Sequence, residues 1–451
     1  GRPPLRCQRL LQIRPRKSCR MMSHGAGCSA VSRASSGGGN KAGPLIKEVR
    51  ALDSRARDLN MARMKTRAAL VHAFMTLASI QAADWPQFRG VNGSAISSEA
   101  APGPKLKVAW EKELPGRGLS SPIVIGGKVF LTASSGPDQS NLHVFCFAAA
   151  DGAVIWERVM KATGRTMAHN KTSVAAPTMC GDSEKVFALF SSNDLFAFDH
   201  SGNLLWLRGL TFDYANASNS LGMASSPVLA GDTLVVQSEN DSESIALGLD
   251  AATGVNRWKK ERPKAANWTS AVVWKDTVAL QSSKGLTGIN PRTGEIEWDY
   301  TDGAATIPSA ALTETAIYVP SNGVTALAPE KGAASQLWRA EGLKPGTGSP
   351  LVIGDSLFVL NSAGILIKAS TRNGDESWKL RLKGPFSGSP VAAGKYVYIG
   401  GERGDFQVVD TTAPEGEIVH TVELKDPILS TPAISDGAVY IRSDKRLWQL
   451  R

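Results

Sequence analysis

The fold is decided by Asp250-Ala251-Ala252-Thr253-Gly254-Val255-Asn256-Arg257-Trp258, in which a glycine turn leads into a segment that ends on tryptophan. Thr293-Gly294-Glu295-Ile296-Glu297-Trp298 repeats the second half of this stretch 40 residues later. Looser copies place Asp151-Gly152 before Trp156 and Asn373-Gly374 before Trp378. A turn that recurs at a fixed distance ahead of a tryptophan indicates an internal repeat.

The tryptophans mark the period of this repeat. Seven of the 11 tryptophans are separated by 46, 50, 52, 40, 40 and 40 residues, and His420 falls 42 residues after the last of them. We expect the seven indole rings to fill the interfaces between neighbouring repeats, and His420 to substitute for the eighth ring rather than to bind a ligand. The seven are Trp110, Trp156, Trp206, Trp258, Trp298, Trp338 and Trp378.

Other features recur in phase with the tryptophans. Each unit has a start that resembles Ser-Pro, a turn, a β-branched strand and a second turn before the tryptophan. Four short strands per unit at a period of about 40 residues are typical of a β-propeller blade, because one blade cannot bury its own two faces. The starts are Ser121-Pro122, Ala176-Pro177, Ser226-Pro227, Ser270-Ala271, Ser309-Ala310, Ser349-Pro350, Ser389-Pro390 and Thr431-Pro432.

The two ends of this region complete each other. Seven full units run from Ser121 to about Leu424, Ser430–Leu450 has a start and strands without a tryptophan, and Lys107–Glu113 has a tryptophan strand without a start. An eighth blade built from both ends would remove exposed strand edges. The sequence therefore predicts an all-β fold, an eight-bladed β-propeller over residues 106–451 that is closed by its own termini, preceded by a lead-in over 84–105.

The basic charge of the chain belongs to its first residues. The net charge is +10 overall, but residues 1–63 hold 14 Lys and Arg against three acidic residues, and Lys65 and Arg67 add two more positive charges. Residues 84–451 are left with a net charge of −3, which gives the propeller no electrostatic reason to bind nucleic acid.

The residues before the propeller predict export. Residues 1–63 lack steady periodicity and are interpreted as a disordered leader or as upstream sequence wrongly included. Met64-Lys65-Thr66-Arg67, the apolar run Ala68–Ile80 and Gln81-Ala82-Ala83 form the pattern of a signal peptide over 64–83, and the run is too short to span a bilayer. No cysteine follows the run, so we expect a soluble periplasmic or secreted product without a lipid anchor.

The propeller region contains two cysteines, Cys146 and Cys180, each within a strand-like run. They could form one bridge, but two cysteines in a large domain are no disulfide framework. We expect buried free thiols.

The repeat resembles the tryptophan-docking motif of pyrroloquinoline quinone (PQQ) propellers. The resemblance covers roughly residues 84–451 and extends to the opening Asp84-Trp85-Pro86-Gln87-Phe88-Arg89-Gly90 and to His169-Asn170-Lys171-Thr172-Ser173, which look like segments of exported PQQ-like repeat proteins of planctomycete-type bacteria. It implies the fold, but PQQ-dependent alcohol dehydrogenases, the non-catalytic propeller of the outer-membrane barrel-assembly machinery and bacterial sensor domains share that fold.

The resemblance alone does not supply an active site. A quinoprotein dehydrogenase needs oxygen ligands for Ca²⁺, an Asp base and an Arg near the quinone, and the alcohol dehydrogenases add a vicinal cysteine pair. This chain has no Cys-Cys and no haem Cys-x-x-Cys-His, and it has no His-Glu-x-x-His, Gly-x-Ser-x-Gly or Walker loop. We therefore expect no catalytic residues, no metal site and no cofactor, with PQQ and Ca²⁺ as the alternative.

A ligand site in a propeller lies in the axial funnel, which is lined by the loops that lead into the innermost strands. Polar residues concentrate in these loops on consecutive blades, although they could equally cap strands and solvate the loops. The candidates are His169, Asn170 and Lys171 before blade two, Asn219 before blade three, Arg262 and Trp268 before blade four, and Asn240 and Asp241 in the middle hairpin of blade three.

The leading hypothesis is a non-catalytic binding scaffold, expected to be a monomer, for a protein partner or a small polar or saccharide-like ligand. The first alternative is a PQQ- and Ca²⁺-dependent quinoprotein oxidoreductase. The second is an outer-membrane protein assembly factor, which the expected absence of a lipid anchor disfavours.

Overall fold

The computed structural model describes residues 84–217 and 221–451. The predicted leader and signal peptide lie outside the described residues. Within them, no helix is long and apolar enough to cross a membrane.

The regular secondary structure of the described residues is almost entirely β-strand, which confirms the all-β prediction. The helical segments among them are a 3₁₀ turn at Val91–Gly93 and α1 at Leu210–Asp213. Two strands precede the first complete unit, β1 (Ile96–Ser97) and β2 (Val108–Glu113).

The remaining strands form seven sheets, in one of which the strands of residues 272–300 and those of residues 311–340 are joined. We divide that sheet at its parallel contact between Ile296–Tyr300 and Gly332–Ala340 and call the resulting antiparallel groups blades one to eight. The first four contain β3 (Ile123–Ile125), β4 (Lys128–Ser135), β5 (Asn141–Ala148), β6 (Val154–Lys161); β7 (Cys180–Gly181), β8 (Lys185–Leu189), β9 (Asp194–Asp199), β10 (Leu204–Gly209); β11 (Val228–Ala230), β12 (Thr233–Ser238), β13 (Ile245–Asp250), β14 (Asn256–Glu261); and β15 (Val272–Trp274), β16 (Thr277–Ser282), β17 (Gly285–Ile289), β18 (Ile296–Tyr300). The last four contain β19 (Ala311–Leu312), β20 (Ile317–Pro320), β21 (Val324–Pro329), β22 (Gly332–Ala340); β23 (Leu351–Ile353), β24 (Ser356–Leu360), β25 (Ile365–Ser370), β26 (Glu376–Arg381); β27 (Val391–Ala393), β28 (Tyr396–Gly400), β29 (Asp405–Asp410), β30 (Glu417–Glu423); and β31 (Ala433–Ser435), β32 (Ala438–Arg442), β33 (Arg446–Leu450), which β2 completes.

Blade eight joins the two ends of the described body. Its strand order is β2-β33-β32-β31, and β2 pairs antiparallel with β33 from Val108↔Leu450 to Glu113↔Arg446. The inner strands β3 and β31 also contact each other, so blade eight adjoins blade one. The prediction that both ends share one blade is confirmed.

Burial follows the position of a strand within its blade. Middle strands such as β4 are buried along nearly their whole length, because neighbouring blades cover both of their faces. Outer strands such as β6 alternate between buried and exposed residues, because only one face meets the next blade.

Six of the seven docking tryptophans pack onto a glycine turn of the following blade. A Cβ added at Gly152 would lie 2.7 Å from Cε3 of Trp110, and the Trp110 indole N–H donates to the Ala149 carbonyl at 3.1 Å. Glycine is therefore required at this turn both by the close approach of the ring and by the positive φ of 69°. The same packing joins Trp156 to Gly202, Trp206 to Gly254, Trp258 to Gly294, Trp338 to Gly374 and Trp378 to Gly416.

The docking pattern departs from this rule at two blades. Gly332, in the turn of blade five that should receive Trp298, has no atom within 4 Å of its Cβ position, and the Trp298 indole nitrogen has no hydrogen-bond partner. There β22 begins early and pairs in parallel with β18. In blade seven, His420 Nε2 lies 2.9 Å from the Leu106 carbonyl oxygen, at the register where other blades carry tryptophan.

The lead-in passes beneath the inner strands of most blades. Trp85 pairs with Val124 of blade one, Ile96 and Ser97 pair in parallel with β27 of blade seven, and Arg89 bonds to carbonyls of blades five and six. Pro86 accepts from Gly181 of blade two, Gly93 packs near Val272 of blade four, and Glu99 accepts from Asp436 of blade eight. Residues 84–99 therefore cross the propeller axis on the side opposite the loops that lead into the innermost strands.

Candidate functional site

A ring of hydroxyl side chains surrounds the propeller axis. Each ring residue lies two positions before the inner strand of its blade. From Ser121 to Ser389, its backbone N–H donates to the hydroxyl at the same position of the next blade, at distances of 2.8 to 3.0 Å. Since seven of the hydroxyl oxygens accept this bond, their own protons remain able to donate. The ring comprises Ser121, Thr178, Ser226, Ser270, Ser309, Ser349, Ser389 and Thr431.

The ring corrects one detail of the repeat. The residue of blade two that is equivalent to Ser121 is Thr178, not Ala176, because Cys180 pairs with Phe187 as Ile123 pairs with Phe130 in blade one. The sequence pattern pointed to the Ser-Pro dipeptide, whereas the structure selects the hydroxyl.

A second ring lies two residues before the first, nearer the incoming loops. An extended chain returns to the same side every second residue, so both rings face the axis. Together with Phe88 they line a cup of about 390 Å³. The upper ring comprises Leu119, Ala176, Ala224, Trp268, Ile307, Thr347, Ser387 and Leu429.

The apolar members of the upper ring form two facing groups, which we call the jaws. Leu119 and Leu429 belong to the adjacent blades one and eight, whereas Trp268 and Ile307 belong to blades four and five, across the axis. The Trp268 indole N–H donates to the Gly222 carbonyl at 2.7 Å, which fixes the orientation of its ring. The cup therefore offers an apolar slot between two polar or small-residue sides.

The floor of the cup is formed by the lead-in. Phe88 lines the cup, and the next residue, Arg89, is fully buried and donates to the Ala310 carbonyl at 2.8 Å and to the Pro350 carbonyl. These two carbonyls directly follow ring hydroxyls in the chain. Burial lowers the pKa of Arg89 to about 9.

The loop before blade two spans the mouth of the cup. His169 donates its backbone N–H to the Leu221 carbonyl near blade three, and Lys171 Nζ lies 3.0 and 3.2 Å from the carboxylate oxygens of Glu402 in blade seven. Ser387 also donates to this carboxylate, at 2.7 Å. The lysine is 64% exposed and Glu402 only 15%, so the carboxylate is the fixed partner.

Three of the residues selected from the sequence line the cup, namely His169, Lys171 and Trp268. Asn170 lies on the same loop, where its carbonyl accepts from Arg117 at 2.9 Å, but it is not among the lining residues. Asn219 lies outside the described residues.

The structure does not bring the other three selected residues into the cup. Arg262 Nε donates to Glu239 at 2.6 Å in a buried ion pair, where burial raises the pKa of Glu239 and Arg262 opposes the shift. Asn240 is buried and holds its own hairpin through the Glu243 carbonyl, and Asp241 is exposed on that hairpin.

The sequence analysis predicted a lead-in but did not place Phe88 and Arg89 in the floor of the cup. It also did not recognise the upper ring as a set, although it selected Trp268. Phe88 and Arg89 stood in the quoted lead-in motif, but nothing local showed that this segment crosses beneath the blades. The upper ring could have been found by stepping back two residues from each repeat start, once blade two was placed correctly.

A separate chain of polar contacts lies in blade one. Ser135 Oγ lies 2.8 Å from His143 Nε2, and His143 Nδ1 lies 2.7 Å from Glu157 Oε1. The Asn141 amide also donates to Ser135 Oγ at 3.3 Å. These residues join three neighbouring strands and do not line the cup.

The two cysteines of the propeller are free and buried, as the sequence predicted. Burial raises the pKa of Cys146 to about 12 and that of Cys180 further. Both thiols are therefore protonated and unreactive near neutral pH.

Comparison with known families identifies the repeat. The PQQ_2 family model, described as "Outer membrane protein assembly factor BamB", matches residues 89–223, 217–317, 320–413 and 372–451, which is most of the chain. The chain belongs to this family. The resemblance drawn from the tryptophan motif is thereby confirmed.

A curated relative is more limited in extent. Outer membrane protein assembly factor BamB of Burkholderia pseudomallei (strain K96243) is 24% identical over 110 residues. The match spans 24% of this chain and 28% of that relative.

Solved structures share the fold at low identity. BamB from Moraxella catarrhalis aligns with a TM-score of 0.56 at 15% identity, covering 77% of this chain and 98% of that one. A europium-containing methanol dehydrogenase aligns with a TM-score of 0.65 at 12% identity, covering 82% and 98%. The quinohemoprotein alcohol dehydrogenase from Comamonas testosteroni gives 0.65 at 13% identity, covering 82% and 80%.

The lining of the cup does not fit PQQ with Ca²⁺. A calcium ion needs several oxygen ligands with carboxylates among them, whereas the ionisable lining residues are His169 and Lys171. Over residues 84–217 and 221–451, no group of three or more His, Cys, Asp or Glu side chains could hold a metal ion.

Proposed function

We propose that this family member is a non-catalytic binding propeller whose ligand site is the axial cup. The observation that carries the proposal is the cup itself, a cavity of about 390 Å³ with two ordered rings in its wall and Phe88 in its floor. Its size and its mixture of apolar surface with a few placed polar groups are those of small-molecule sites.

The wall of the cup is fixed before any ligand arrives. Seven of the ring hydroxyls already accept a backbone N–H from the neighbouring blade, and Trp268 is held by its bond to Gly222. A ligand would therefore meet side chains that lose little conformational freedom on binding, which favours affinity.

The expected location follows from the leader. A signal peptide over 64–83 would export the chain, and we propose a soluble monomer in the periplasm or outside the cell. The test is the N-terminal sequence and the fractionation of the protein expressed in a Gram-negative host. Retention of residues 64–83 on a cytoplasmic product would contradict it.

The cup can be tested by blocking it. Ala224→Trp places a large ring in the upper ring of the cup, whereas Ala252→Trp places the same ring on an exposed turn. Ligand-observed NMR with a mixture of saccharides, organic acids and short peptides should find binders that Ala224→Trp abolishes and Ala252→Trp preserves. If Ala224→Trp, folded by circular dichroism, abolishes no binding, the cup is not the site.

An outer-membrane protein assembly factor is the second candidate. It is favoured by the family match, and by the coverage of 98% of the Moraxella catarrhalis BamB chain. Under this proposal the partner is a protein of the outer membrane assembly apparatus. Co-purification of the tagged chain with an outer-membrane barrel protein would support it, and an envelope preparation without one would argue against it.

A quinoprotein oxidoreductase is the remaining alternative. It is considered because the fold is similar to those of two dehydrogenases. Calorimetric titration of PQQ with Ca²⁺ into the purified chain separates it from the binding propeller. Tight, Ca²⁺-dependent binding near one per chain would replace our proposal with this one. No heat would agree with the described lining of the cup, which has no carboxylate to bind Ca²⁺.

A further inference from the structure

We propose that the cup binds a small organic acid, with the carboxylate at Lys171 and an apolar body between the jaws. This inference rests on the proposed function, because it names the ligand class of the same site.

The charge of the lining favours an anion. Among residues 84–217 and 221–451, His169 and Lys171 are the ionisable lining residues, and Glu402, the carboxylate that contacts Lys171, stands behind Ser387 and is not one of them. Below the floor, Arg89 is fully buried and donates to the carbonyls of Ala310 and Pro350. A cation in a poorly solvated position raises the potential above it, so a negative ligand is attracted and a positive one repelled.

The geometry at the mouth identifies where the carboxylate binds. Lys171 is mostly exposed and reaches Glu402 with its flexible stem, whereas Glu402 is held by Ser387 Oγ at 2.7 Å. A ligand carboxylate therefore competes with Glu402 for Lys171, and the lysine is the group that moves. The chain itself thus shows the type of partner that this lysine accepts.

The jaws determine the rest of the ligand. Leu119 and Leu429 face Trp268 and Ile307 across the axis, with Phe88 below. Burying a body of aryl or alkyl carbon here gains about 25 cal/mol per Å² of apolar surface. The ring hydroxyls beneath the jaws keep their protons to donate, so an oxygen acceptor at the far end of the body would be satisfied.

The experiment compares an acid with its neutral analogue. Titration of the full chain with 3-phenylpropionate and with 3-phenylpropionamide, by calorimetry or ligand-observed NMR, should show the acid binding at least fivefold more tightly. Lys171→Gln should weaken acid binding by about threefold to fivefold and leave the amide unchanged, since a partly exposed ion pair contributes modestly.

The direction in which Glu402→Gln changes the affinity for the acid is the decisive observation. The glutamine retains an oxygen for the Ser387 bond but no longer competes for the lysine, so acid binding should become tighter. The matched controls are Lys185→Gln and Glu184→Gln, an ion pair at 2.9 Å outside the cup, which should change nothing.

Each outcome decides between the claims. Equal affinity for the acid and the amide, or weaker acid binding in Glu402→Gln, would overturn the organic-acid inference. If no acid binds but other ligands are lost in Ala224→Trp, the inference fails while the binding propeller stands. If Ala224→Trp abolishes nothing, both fail.

Discussion

Glycine can be required at a turn by a positive φ or by the close approach of a tryptophan ring, and a comparison of Gly254 with Gly231 distinguishes the two causes. Both have positive φ, 71° and 61°, but a Cβ at Gly254 would lie 2.7 Å from Trp206, whereas one at Gly231 meets nothing within 4 Å. Alanine at either position pays about 1 kcal/mol of backbone strain, and at Gly254 it adds about 1–3 kcal/mol of overpacking. Denaturant unfolding should show Gly254→Ala to be the more destabilised, and equal losses would mean that the tryptophan contact contributes nothing.

Removal of the Glu239 carboxylate from its pair with Arg262 should lower the free energy of unfolding strongly. The two side chains are 1% and 6% exposed, so Glu239→Ala leaves a buried cation without its partner and should cost about 3–5 kcal/mol of unfolding free energy. Glu243→Ala removes a half-exposed pair with Lys259 at 3.4 Å and should cost under about 1 kcal/mol. Similar losses in thermal or urea unfolding would contradict the burial argument.

At the scale of elements, the lead-in contributes a pH-dependent term to stability through Arg89. Burial lowers its pKa from the usual arginine range to about 9 in the folded chain. The folded state therefore releases the proton first, and stability rises as the pH increases above 9. The unfolding free energy of the wild-type chain relative to Arg89→Gln should increase by about 1 kcal/mol between pH 8 and pH 10. A difference that stays flat or falls would show that Arg89 titrates normally.

Features that repeat could be predicted from the sequence, and features that occur once could not. Tryptophan and turn glycine recur because every blade interface needs them, so their period identified the fold and its closure. The contact of Lys171 with Glu402 joins residues 231 apart and occurs in one place, so no pattern announced it. Arg262 was selected for its loop position, but it binds the buried Glu239 carboxylate on the neighbouring hairpin and so does not line the cup.

At the scale of the whole molecule, the ring depends on a single seam between β2 and β33. A disulfide from Glu113→Cys and Arg446→Cys, which are register partners, would tie the two ends together. Glu423→Cys with Asp405→Cys makes the same kind of link inside blade seven. Because loop-closure entropy grows with loop length, the seam disulfide should stabilise by up to about 5 kcal/mol and the local one by about 3 kcal/mol.

The measurement is the midpoint of denaturant unfolding of each variant, oxidised against reduced. A larger gain from the seam disulfide is the result that the loop-length argument predicts. Equal gains, or a larger gain inside blade seven, would contradict it.

The lead-in also constrains how the chain is made. Arg89 leaves the ribosome long before Ala310 and Pro350, its acceptors 221 and 261 residues further on. Because synthesis is vectorial, Arg89 stays without these two acceptors until the starts of blades five and six have been made. A chain that stops before blade six would therefore lack the Pro350 acceptor and three of the eight blades, and its cup would stay open.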